Sequence, residues 1–225
     1  MRTGYFYGIV LLSMLYACSG MYDNVNPYYD EGEINYIAKV DSVSTNAGNN
    51  RVKFTWLVNT DPRIKELFVT WSDGKNDTKI PIDFSQLNEN RFYSVILEPV
   101  EEGNHIFYLY HTGKGDRSLA TEVEVRSYGE KYRATLEPRS IRSVTMQGNK
   151  ATITWRNVVA NCVVEISYTN TMGVVSKQTA TPTELKTVIE DVLPGSTFSY
   201  VSTYTPEKGA MDVFSVNSET INFPE

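Results

Sequence analysis

The chain has little of what most chemistry needs. Its 225 residues include two cysteines and two histidines, too few for a disulfide framework, a thiolate zinc site or a histidine-based metal centre. Cations are also short. Twenty-one Lys and Arg stand against 27 Asp and Glu, a net charge of −6, which removes any general attraction to nucleic acid and favours a neutral or cationic partner. No Gly-x-Ser-x-Gly, P-loop, His-Glu-x-x-His or Gly-x-Gly-x-x-Gly pattern occurs, so no enzyme, and no cofactor, is expected from motifs. Long apolar runs are missing as well. What is present is a 41% hydrophobic composition with 15 tyrosines, that of a globular protein and not of a disordered or polytopic membrane chain.

The N-terminus reads as an address. Arg2 precedes an apolar run from Gly4 to Leu15, too short to span a bilayer comfortably but suited to a secretory signal. The run ends in Leu15-Tyr16-Ala17-Cys18, which resembles a bacterial lipobox with Tyr16 as its one departure. That resemblance implies cleavage after residue 17, lipidation of Cys18 and anchoring in the outer membrane, facing the cell surface. Loss of Arg2 with residues 1–17 makes the net charge −7. Residues 18–36 carry turn formers and acid without an apolar period and read as a tether.

Beyond it, short β-branched and aromatic runs alternate with turn signals, and no long stretch keeps a helical period. The runs repeat. Val52-Lys53-Phe54-Thr55-Trp56 matches Ala151-Thr152-Ile153-Thr154-Trp155; Leu67 to Trp71 matches Val164 to Tyr168; Val100-Glu101-Glu102-Gly103 matches Val192-Leu193-Pro194-Gly195. The order is the same in both halves, so the repeating unit is a domain. Its size and strand density are those of an immunoglobulin-like sandwich. The expectation is an all-β chain of two tandem sandwiches, residues 37–126 and 139–225, joined by a linker over 127–138. Tyr128, Tyr132 and Leu136 in that linker suggest packing between the domains.

The strand ending in Trp, the apolar-x-apolar-x-aromatic strand and Leu193-Pro194-Gly195-Ser196-Thr197-Phe198 resemble fibronectin type III domains. Phe198 and Ile106 stand where that family usually carries the tyrosine of its corner, which implies that neither half makes that hydroxyl bond. More closely, Glu31 to Ile34, Lys39 to Val43, Asn50 to Leu57, Asp61-Pro62-Arg63, Tyr128 to Tyr132 and Leu136 to Ile141 resemble a family of uncharacterised Bacteroidota-type surface lipoproteins with an N-terminal fibronectin-like domain of unknown function. The likeness covers residues 18 to about 141. It implies a companion of glycan-uptake systems and supplies no catalytic residues.

Alternation assigns faces. Val52, Phe54, Trp56, Leu67, Val69, Trp71, Val164, Ile166 and Tyr168 read as core, as does Cys162. Asp73 to Asp77 reads as a polar hairpin and not a calcium loop, because it lacks the closing Glu. Lys114-Gly115-Asp116 varies an adhesion tripeptide but is also what a hairpin turn prefers. Asp41-Ser42-Val43 resembles a short O-glycosylation acceptor. His105 to His111 is apolar on both parities. The match of Gly103 to Gly195 turns Ile106, Tyr108 and Tyr110 inward and leaves Phe107 and Leu109 outside with Phe68. A patch of that kind marks an interaction surface. Phe68, Tyr110 and His111 are the candidate ligand contacts, with a polysaccharide or another surface protein as partner.

Overall fold

A computed structural model describes residues 36–72 and 74–225. Cys18, the signal and most of the tether lie outside those residues, as does Asp73. The described chain is almost entirely β-structure, arranged as two sandwiches.

In the first, β1 (Asp41–Ala47), β2 (Val52–Leu57) and β5 (Phe92–Leu97) form one sheet in the order β1-β2-β5. The facing sheet holds β3 (Glu66–Trp71), β4 (Asn76–Pro81), β6 (Gly103–Gly113), β7 (Asp116–Arg117) and β8 (Thr121–Ser127), with β3 and β8 on either side of β6. The second sandwich repeats the plan. Strands β9 (Ile141–Gln147), β10 (Lys150–Trp155) and β13 (Lys186–Ile189) make the small sheet. The large one holds β11 (Cys162–Thr169), β12 (Val175–Ala180), β14 (Thr197–Tyr204), β15 (Phe214–Asn217) and β16 (Ile221–Asn222). Among the described residues the only α-helical turn is α1 (Glu130–Arg133), in the linker.

Each sandwich has its own core because the inward residues of facing sheets can reach one another only within a sandwich. Phe54, Trp56, Leu67, Val69, Phe107 and Leu109 are buried in the first; Ile153, Trp155, Cys162, Val164, Ile166 and Phe198 in the second. Equivalent backbone bonds confirm the repeat. Val100 N donates to Asn50 O at 2.8 Å, and Val192 N to Asn149 O at 2.7 Å. The hairpin through Ser72 and Lys75 closes with a bond from Lys75 N to Ser72 O, 3.1 Å.

The faces of β6 are the reverse of the sequence expectation. Phe107 and Leu109 are buried, whereas Ile106 is 45% exposed and Tyr108 and Tyr110 are half-buried on the outside. The reason is one residue. Leu67 pairs with His111 and Trp71 with Phe107, while Val164 pairs with Ser202 and Tyr168 with Phe198. Phe107, not Ile106, is thus the counterpart of Phe198, and the first half has one more residue between its glycine and that phenylalanine. A slip of one residue exchanges the two faces of a strand.

Candidate functional site

Of the three expected ligand contacts, the structure brings two together and removes the third. His111 is fully buried, because its parity on β6 is that of Phe107 and Leu109. Its Nε2 accepts from Trp56 Nε1 at 3.2 Å, which places the proton on Nδ1, 2.8 Å from the Ala38 carbonyl. Burial pushes its pKa below the usual histidine value. Both nitrogens are engaged inside the protein, so His111 is a core residue and not a ligand contact.

Phe68 and Tyr110 are cross-strand neighbours on the outer face of the large sheet, their ring centroids 5.9 Å apart. Thr70 and Tyr108 form the next row, followed by the Tyr108–Glu122 and Ile106–Glu124 pairs with β8. Arg117 was not singled out from sequence, yet its guanidinium carbon lies 4.5 Å over the Tyr110 ring. Local geometry puts it there. Lys114 and Gly115 both have positive φ, 49° and 93°, as the two central residues of a type I′ hairpin require. That turn pairs Thr112 with Arg117, so Arg117 shares the outward parity of Thr112 and Tyr110. Beside the rings a cleft of about 410 Å³ is lined by Glu66, Phe68, Lys79, Thr112, Lys114 and Arg117, among others.

The chain enters the first sandwich beside this end of the sheet. Arg63 pairs with Asp61 at 2.7 Å and donates to Tyr36 O at 2.9 Å, while Asp61 also accepts from Ala38 N at 3.1 Å. The Arg63 bonds hold the Asp61 carboxyl well below the usual carboxylate range.

A second assembly of polar groups fixes the joint. Ala47, Tyr128 and Phe214 form a small buried cluster with Tyr132 and Leu136 packed against it, so the linker aromatics lie between the sandwiches. Glu102 of the first sandwich caps α1, accepting from Lys131 N and Tyr132 N at 2.7 and 2.6 Å. The loop before β15 reaches back across the joint. Asp212 accepts from Arg51 Nε at 2.9 Å, Arg51 Nη2 at 2.6 Å and Asn49 N at 2.7 Å. The Arg51 bonds lower its pKa. Gly48 is needed beneath it, since a Cβ there would stand 2.7 Å from Asp212 Oδ2. The Tyr128 hydroxyl donates to Glu207 at 3.0 Å, and burial, with that carboxylate, pushes its pKa up to about 12.

Arg139, at the start of the second sandwich, is 2% exposed. Its guanidinium donates to the carbonyls of Thr181, Asn157 and Glu184 and lies 4.9 Å from the Trp155 ring centroid. The Tyr200 hydroxyl donates to its carbonyl at 2.7 Å, so a hydroxyl-to-backbone tie exists in this half, two residues beyond Phe198. Nothing in the local sequence marks Arg139 as buried.

Among the described residues no cluster of His, Cys, Asp and Glu is spaced to hold a metal ion, and no helix is long and apolar enough to cross a membrane.

No curated protein matches the sequence. Solved structures do. A two-domain fibronectin type III segment of chicken tenascin is 16% identical, covering 81% of this chain and 99% of its own, with a TM-score of 0.33. The FN1–FN3 domains of chicken CNTN1 are 10% identical, covering 84% and 66%, TM-score 0.42. The chicken interferon gamma receptor alpha chain is 13% identical, covering 84% and 100%, TM-score 0.34. A family profile described as a domain of unknown function matches residues 18–214. It runs through most of the second sandwich, well past residue 141 where the sequence resemblance was expected to stop. The chain is therefore a member of the DUF4998 family, whose extent takes in the first sandwich, the joint and most of the second sandwich.

Proposed function

We propose that this is a non-enzymatic, lipid-anchored surface protein that binds carbohydrate on the outer face of its first sandwich and uses the second as a rigid continuation. The observation that carries the reading is the Phe68–Tyr110 pair, two half-buried rings side by side on the outer face of the sheet. Aromatic faces stack on the C–H faces of sugars, and the polar neighbours Glu66, Lys79, Thr112 and Arg117 supply the hydrogen bonds that orient one. Anchoring through Cys18 at the outer membrane belongs to the same reading. It is supported by the lipobox pattern and by a family match that begins at residue 18.

The test is a glycan array probed with wild-type protein and with Phe68→Ala. Binding to at least one polysaccharide, lost or weakened about tenfold in the variant, is expected. Failure across a broad array sinks the reading.

A second reading, a structural protein that docks another surface protein without touching sugar, is favoured by the far end of the second sandwich. There the β11–β12 turn exposes Met172 at 77%, with Val174 and Val175 beside it. Crosslinking to a partner through this turn, with no glycan bound, is what that reading expects.

A further inference from the structure

The charge in the cleft beside Phe68 differs from that of the chain. Lys79, Lys114 and Arg117 line it with Glu66 and Asp116, an excess of cations in a protein whose net charge is −6. None of the three cations joins an ion pair found among the described residues. Of the two acids, Glu66 is engaged, accepting from the Thr112 hydroxyl at 3.4 Å. Arg117 is held over Tyr110, and such stacking leaves the edge of a guanidinium available to a carboxylate, which it grips through two parallel bonds.

We propose that this cleft takes an acidic sugar, a uronate unit within a polysaccharide, with the ring on Phe68 and the carboxylate on Arg117 and Lys79. This rests on the carbohydrate reading above and adds the class of ligand. The net negative charge of the whole chain is no obstacle. Lining charges act within a few ångströms, whereas the field of distant groups is screened beyond about 8 Å at physiological ionic strength.

The experiment measures the Kd of the purified protein for a galacturonate hexamer and for a neutral hexaglucoside by calorimetry, with vesicles containing phosphatidylglycerol as a third probe. The acidic hexamer is expected to bind at least tenfold more tightly than the neutral one, a preference that shrinks as salt rises. Arg117→Gln, folded by circular dichroism, is expected to abolish the preference, while Phe68→Ala weakens both sugars. Equal affinity for the two sugars, or a preference unchanged in Arg117→Gln, overturns the acidic assignment and leaves the carbohydrate reading standing. Binding of neither sugar overturns the acidic assignment, and overturns the carbohydrate reading too when the glycan array is also blank; binding of the anionic vesicles alone assigns the cations to a membrane surface instead.

Discussion

The two sandwiches bury the same tryptophan and satisfy its N–H differently. Trp56 donates to the His111 ring at 3.2 Å; Trp155 donates to the Thr187 hydroxyl at 2.9 Å. The segments entering the two halves are held from one shared position. His111 and Ser202 occupy equivalent places in the strand pairing. His111 donates to Ala38 O, and Ser202 Oγ accepts from Arg139 N at 2.9 Å. One half thus rests on a titratable ring and the other on hydroxyls and a buried guanidinium. The same fold position holds a titratable group in the first sandwich and a non-titrating hydroxyl in the second.

Removing each tryptophan tests how far the halves stand alone. Trp56→Ala and Trp155→Ala should each cost about 3–5 kcal/mol in urea unfolding. Hydrogen exchange should show the loss confined to the mutated sandwich. If both open together in either variant, the joint makes them one cooperative unit and the separation of cores is not a separation of stabilities.

Arg139→Met should cost about 2–3 kcal/mol in the second sandwich, because it leaves three carbonyls without their buried donor. In the first sandwich the guanidiniums that bind loop carbonyls are less buried: Arg91 donates to Val58 O and Asn59 O, and Arg63 to Tyr36 O.

The pH contrast follows from the depressed pKa of His111. The folded protein binds its proton less readily than the unfolded chain, so its stabilising contribution is complete above about pH 6.5 and falls as pH drops below that value. Thermal melts between pH 7.5 and 5 should show the first sandwich weakening, and His111→Gln should flatten the slope. Asp61 adds a separate loss in the acid range below about pH 4, since its pKa too is lowered on folding.

The smallest effect belongs to the joint. Asp212→Asn should lower stability by about 1 kcal/mol, as expected for a partly exposed pair. It should also widen the distribution of interdomain angles in small-angle scattering. An unchanged scattering profile would assign the rigidity to Tyr128, Phe214 and α1 alone.

The cores were legible in the sequence wherever one face of a strand is apolar and the other polar. Val52, Phe54 and Trp56 alternate with Lys53 and Thr55, and the structure buries the first set. Strand β6 gave no such contrast, and a glycine-based alignment one residue out inverted it. Phe68 lies on the outer face as expected, whereas Tyr110, expected inward, joins it there and His111 is buried instead. Arg117 was hidden because its position depends on the turn between β6 and β7 and not on the periodicity of either strand. The linker aromatics hinted at a packed joint, yet the Arg51–Asp212 pair spans 161 residues, a separation at which local pattern carries no signal.

The direction of β1 has a consequence for reach. It starts at Asp41, beside the entering chain, and ends at Ala47, against the second sandwich, so entrance and joint are opposite poles of the first domain. The turn at Lys114 and the cleft beside it stand at the entrance pole, where Ser118 N bonds His111 O and His111 bonds Ala38. Under the proposed N-terminal anchoring and polymer binding, captured polymer would be kept at the foot of the molecule, near the bilayer, and the second sandwich would project outward as the part that neighbours meet first.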